Sequence, residues 1–111
     1  MGIKDIKMKE ELDRELRSGG KKFLLFYSAW DSFSLEFTPA FEKLAASDPG
    51  SFCKVSTDTL PEVADVFSVG VVPTVLFFRG GQLDNRLDGM PDKGLTAESL
   101  AEFVWRCHGI V

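Results

Sequence analysis

Five consecutive apolar residues, Phe23-Leu24-Leu25-Phe26-Tyr27, stand between Lys21-Lys22 and the small pair Ser28-Ala29. The run is too short for a helix with those flanks, and it does not alternate apolar with polar residues. It reads as a strand buried on both faces. Such a strand needs a layer on each side of its sheet. The next segment supplies one. Phe33, Phe37, Phe41 and Leu44 recur at steps of four, four and three, which predicts a helix up to about Ala46. Pro39 lies inside it, lacks an amide proton and is expected to kink it.

The same alternation runs through the rest of the chain. Ile3, Ile6, Met8, Leu12 and Leu16 fall among charges at roughly helical steps, predicting an amphipathic helix over 4–17 that Ser18-Gly19-Gly20 ends. Ser47-Asp48-Pro49-Gly50 is a turn, and 52–57 a strand. Pro61 opens a short helix over 60–68, with Val63, Ala64 and Phe67 on one stripe. Residues 71–78 are rich in β-formers but broken by Pro73, and Gly80-Gly81 joins them to 82–87 as a hairpin. Residues 90–95 form a loop. Thr96 caps a last helix with Leu100, Phe103, Val104 and Cys107 along one side. The expected order is α-β-α-β-α-β-β-α over 1–111 as one domain of the α/β class. Its sheet is mixed and mostly parallel, with a terminal antiparallel hairpin and helices on both faces.

Composition excludes several functions. With 13 basic and 17 acidic residues the chain carries a net charge of −4, so no basic face for nucleic acid is expected. Residues 1–22 are net positive and the remainder net negative, which reads as a solvated helix face. No apolar run approaches the ~18 residues of a membrane span. Met1 to Lys7 has no apolar core of a signal peptide, and Ile6 breaks the acylation pattern after Met1-Gly2, so the cytoplasm is the expected compartment. Two cysteines are too few for a disulfide scaffold, and with one histidine they make no zinc site; no metal or cofactor is expected.

Two stretches and the element order resemble the thioredoxin family across essentially the whole chain. The first is Phe26-Tyr27-Ser28-Ala29-Trp30-Asp31-Ser32-Phe33-Ser34 with Pro39 five residues on. It is similar to the family's strand, tryptophan, CxxC and proline-bearing helix. The second is Val72-Pro73-Thr74 before Val75-Leu76-Phe77-Phe78 and Gly80-Gly81, similar to the family's cis-proline loop, strand and hairpin. Gly89 matches a glycine near the active-site rim. The resemblance implies a thioredoxin-like fold and a cis peptide at Val72-Pro73.

The departures from the family lie at the chemistry. Asp31 stands at the position of the nucleophilic cysteine, Ser34 at that of the resolving cysteine and Leu25 at that of the buried carboxylate; Lys54 still matches. Thiol–disulfide exchange needs an attacking thiolate and a second thiol. Asp31 can cap a helix but cannot form a disulfide. Ser34 has no neighbouring base, because the only histidine is His108. No catalytic residue is therefore assigned. The resemblance implies that Lys54 faces the Phe33–Ala46 helix and that the last helix shares that side; Cys53 alternates with Lys54, so Cys53 and Cys107 are expected on opposite faces of the sheet, out of disulfide reach, as small core residues.

What the resemblance leaves is a groove lined by Trp30, Asp31, Ser32, Phe33, Val72, Pro73, Gly89 and Met90. A residue before a cis-proline can pair with an extended peptide. The expected function is a redox-inactive protein- or peptide-binding adaptor or chaperone-like module, with a protein or extended peptide as client. The alternative is a thiol–disulfide oxidoreductase of cell redox homeostasis working through the noncognate Cys53 and Cys107.

Overall fold

The computed structural model describes residues 3–108. Its five-stranded sheet has the order β1-β3-β2-β4-β5, formed by Lys4–Ile6, Lys21–Tyr27, Phe52–Ser56, Thr74–Arg79 and Gln82–Leu87 numbered in chain order. β1 and β2 both run parallel to β3, whereas β2–β4 and β4–β5 are antiparallel. The helices are α1 (Lys9–Arg17), α2 (Ser32–Ala45), α3 (Pro61–Val66) and α4 (Ala97–Cys107), with a 3-10 turn at Pro49–Ser51. The fold class is as expected, an α/β mixed sheet covered on both faces.

The central strand β2 explains the architecture. Its four residues Phe23, Leu24, Leu25 and Phe26 are all fully buried, and they alternate between two cores. Phe23 and Leu25 join Phe37, Phe41, Phe77, Leu100 and Phe103 on the α2/α4 side. Leu24 and Phe26 join Ile6, Leu12, Val55, Val63 and Phe78 on the α1/α3 side. Phe23 stacks on Phe52 at 4.9 Å between ring centroids and lies 4.7 Å from Phe77, so the α2/α4 core is built largely from ring contacts.

One predicted element is corrected. Residues 4–17 do not form one helix: Lys4–Ile6 is an edge strand and the helix starts at Lys9. Ile6, counted on the helix face, is instead fully buried beside β3, where it pairs with Val55. The exposed side of β3 would otherwise be left without backbone partners, and three residues in a parallel ladder satisfy it. Glu11 fixes the boundary, because its Oε1 accepts from the amides of Lys7 at 2.7 Å and Met8 at 3.0 Å. The observed order therefore begins β-α-β rather than α-β. Met1 and Gly2, where the acylation pattern was sought, and residues 109–111 lie outside the described residues.

The remaining boundaries follow the sequence more closely. α2 continues through Pro39, although the ring leaves Leu35 C=O without its usual amide donor. Gly80 and Gly81 take φ of 60° and 84°, the pair of positive values that a tight hairpin needs. β4 starts at Thr74, so Val71 and Val72 belong to the preceding loop.

Candidate functional site

The antiparallel pairings bring the loops after β2, before β4 and after β5 to one edge of the sheet. α2 begins there. Asp31 is its N-cap, and Oδ2 accepts from Ser34 N at 2.8 Å, taking one of the amides that a helix start leaves unpaired. Ser34 is fully buried, and its Oγ accepts from Ser28 N at 3.2 Å. The hydroxyl at position 34 is thus spent on the backbone of the loop beside it. Leu25 is fully buried and pairs with Lys54 across the β2–β3 ladder. Lys54 leans to α2 instead, where its ammonium meets Glu42.

The β4 loop is held by three groups. The Val72-Pro73 peptide is cis. Thr74 Oγ1 donates to Val71 C=O at 2.6 Å and accepts from Gly89 N at 3.0 Å. A Cβ at Gly89 would stand 2.1 Å from Pro73 O, so only glycine lets the two loops approach this closely. Val72 makes no backbone hydrogen bond among the described residues.

The exposed part of this edge is small. Trp30 is 88% exposed and Met90 51%. Phe33 is half-buried, because the 90–94 turn closes on it: Gly94 N donates to Met90 C=O at 2.7 Å, and a Cβ on Gly94 would meet Phe33 Cβ at 2.8 Å. Asp31 and Val72 are half-buried, Ser32 exposed, Pro73 and Gly89 buried. All eight residues belong to the loops and helix start at this edge, and Trp30, Ser32 and Met90 are its exposed members.

Sequence reasoning missed three supporting residues. Ser28 Oγ donates to Asp58 Oδ2 at 2.8 Å and accepts from Trp30 N at 3.2 Å, so the loop after β3 holds the loop that presents Trp30. Thr74 is the third, through its bonds to Val71 and Gly89. The Ser28–Asp58 contact spans 30 residues and has no local signature. Thr74 follows the cis-proline directly and could have been found there.

The two thiols lie elsewhere. Cys53 belongs to the α1/α3 core and Cys107 to the α2/α4 core, on opposite faces of the sheet as expected. Both are free and buried. Burial pushes Cys53 up to about 12 and Cys107 to about 11, so both stay protonated at neutral pH and are poor nucleophiles. Among the described residues no group of three or more His, Cys, Asp or Glu side chains could hold a metal ion, and no helix is long and apolar enough to cross a membrane.

A thioredoxin family profile matches residues 4–104. The chain belongs to the thioredoxin family. It is 32% identical over 95 residues to a thioredoxin of Mycoplasmoides gallisepticum, covering 84% of this chain and 95% of that protein. It is 33% identical over 95 residues to monothiol glutaredoxin-S17 of Arabidopsis thaliana, covering 85% of this chain and 20% of that protein. Glutaredoxin-3 of Mus musculus is 28% identical over 99 residues, 86% of this chain and 29% of that protein. The chain thus spans less than a third of these two glutaredoxins. Among solved structures, a poplar thioredoxin h superposes over the whole of both chains with a TM-score of 0.84 at 21% identity. Oxidised mitochondrial thioredoxin 3 of Saccharomyces cerevisiae gives 0.80 at 22% identity over 94% of each chain. At these identities the superpositions show the thioredoxin fold alone.

Proposed function

We propose that this member of the thioredoxin family is a redox-inactive module that binds an extended segment of a client protein, as an adaptor or chaperone-like unit in the cytoplasm, within a single thioredoxin-like domain. The observation that carries the reading is the contrast at the head of α2. Where the family resemblance puts the two thiols, Asp31 and Ser34 are committed to backbone hydrogen bonds. Beside them Trp30 stays exposed, and the Val72 backbone before the cis-proline lacks partners among the described residues. An extended peptide could add a short strand at Val72 and set an apolar side chain against Trp30 and Met90.

The competing reading is thiol–disulfide exchange, favoured by relatives named thioredoxin and glutaredoxin. Two measurements separate the readings. Reduction of insulin disulfides with a dithiol donor is expected at background rate; turnover that disappears on replacing Cys53 and Cys107 with Ser would overturn the binding reading. A blocked decapeptide with a central Phe and uncharged Ser and Val flanks is expected to bind the protein, and Trp30→Ala to remove that binding. Binding that survives Trp30→Ala places the site away from the groove.

A further inference from the structure

The strand order gathers the chain's net charge at one end. The loops after β2 and β3, before β4 and after β5 meet at the groove edge. With the first helical turns that leave it, this region carries Asp31, Asp58, Glu62, Asp88, Asp92 and Glu98. Its bases are Lys93 and, reaching in from β5, the guanidinium of Arg86, which is clamped on Asp88 at 2.8 Å and on the carbonyls of Phe67 and Ser68. Of 17 acidic and 13 basic residues, six and two lie here, which is the whole net charge of −4; the remaining eleven of each sign cancel. The corner after β1, further along the same edge, sets Lys7 and Lys9 against Glu10 and Glu11 and is neutral. Glu62, Asp92 and Glu98 are exposed and make no side-chain hydrogen bond or ion pair among the described residues, so their charge is free to act on what approaches.

We propose that the segment this groove takes is cationic. It is an extended stretch of a partner protein that sets one bulky apolar side chain against Trp30 and Met90 and carries lysine or arginine within two or three residues on each side. The inference rests on the peptide-binding reading and adds the partner's chemistry. At about 3.3 Å per extended residue such charges lie roughly 7–10 Å from the anchoring side chain. The Debye length is about 8 Å at physiological ionic strength, so attraction between these charges and the rim carboxylates is open to screening by added salt. An acidic stretch in the same place would be repelled, and the sign of the field equally disfavours nucleic acid and anionic lipid.

The test uses the whole protein and two blocked decapeptides with a central Phe, one with two lysines on each side and one with glutamates at the same places, titrated by calorimetry. At low salt the lysine peptide is expected to bind at least about tenfold more tightly, with the gap falling below about threefold at about 0.5 M salt. The triple change Glu62→Gln, Asp92→Asn, Glu98→Gln is expected to narrow the low-salt gap in the same way. Equal affinities, with both lost on Trp30→Ala, would overturn the charge preference and leave the groove reading standing. A gap that persists in Trp30→Ala or in the triple variant would overturn the proposal by placing the charge selection elsewhere. If neither these peptides nor the uncharged one binds, both readings fall.

Discussion

The interior and the rim of the α2 end have been built to opposite specifications. Inside, the groups at the helix start are occupied: Leu25 is packed, Ser34 holds Ser28, Asp31 caps the helix and Lys54 is bound to Glu42. A few ångströms outward, Trp30 projects into solvent and the Val72 backbone is left without a partner among the described residues. A helix start whose polar groups are committed in this way suits a support. A rim with exposed apolar surface and the Val72 backbone amide unpaired among the described residues suits recognition. The lesson is that caps and loop-to-loop hydrogen bonds hold the geometry of this edge without a thiol among the groups that make them.

The contrast can be broken most severely by returning a carboxylate to the interior. Leu25→Asp would bury a charge among apolar groups, expected to cost about 3–5 kcal/mol at pH 7 in denaturant unfolding. The substituted aspartate would have its folded-state affinity for protons raised, so the loss should shrink as pH falls toward about 4, the ordinary carboxylate value. A loss that is small and independent of pH would mean that Lys54 leaves Glu42 to pair with the new carboxylate. Next in size, Ser34→Ala leaves the Ser28 amide buried without its acceptor and should cost about 1–3 kcal/mol, again by denaturant midpoint.

The thiols should matter to stability only at high pH. Their folded-state values of about 12 and about 11 lie above the ordinary thiol value near 9. Their stabilising contribution relative to the ionised unfolded chain is complete below about pH 9 and is lost as pH rises through about 11–12, because the unfolded chain gives up its protons first. Each thiol should add a slope of up to about 1.4 kcal/mol per pH unit in that window. A Cys53→Ala/Cys107→Ala variant should flatten the decline; an unchanged slope would assign it to other groups, such as Tyr27, which burial and Asp5 push up to about 12. The smallest effect belongs to the rim. Trp30→Ala should move the unfolding midpoint by less than about 0.5 kcal/mol, since the ring is mostly in water, while removing peptide binding. A larger loss would show that Trp30 is part of the support and would erase the distinction between the two regions.

Legibility in the sequence followed the same division. Continuous apolar runs and helical periods disclosed β2, α2 and α4, because burial there leaves a local pattern. Asp31 as a cap was legible for the same reason, since capping acts within one helical turn. Lys4–Ile6 was not. Three residues are too few to show a period of two, and their one apolar member, Ile6, fits the stripe of the helix that starts at Lys9. Only the pairing with β3 some fifty residues later decides the matter, and no local propensity reports it. Phe33 read as rim and proves half-buried, because the 90–94 turn that covers it is set by Gly94, a contact with no nearby sequence signal. Ser28–Asp58 was hidden likewise.

The position of β1 has a consequence for how the molecule is made. Among the described residues it precedes every other element yet lies at the outer edge of the sheet, where its sole strand neighbour is β3. On a ribosome, residues 4–6 therefore emerge with nothing to join and wait while residues up to 56 follow, at roughly 5–20 residues per second. For those seconds a nascent chain holds Ile6 exposed, and β1 can close its edge of the sheet only once β3 has been made.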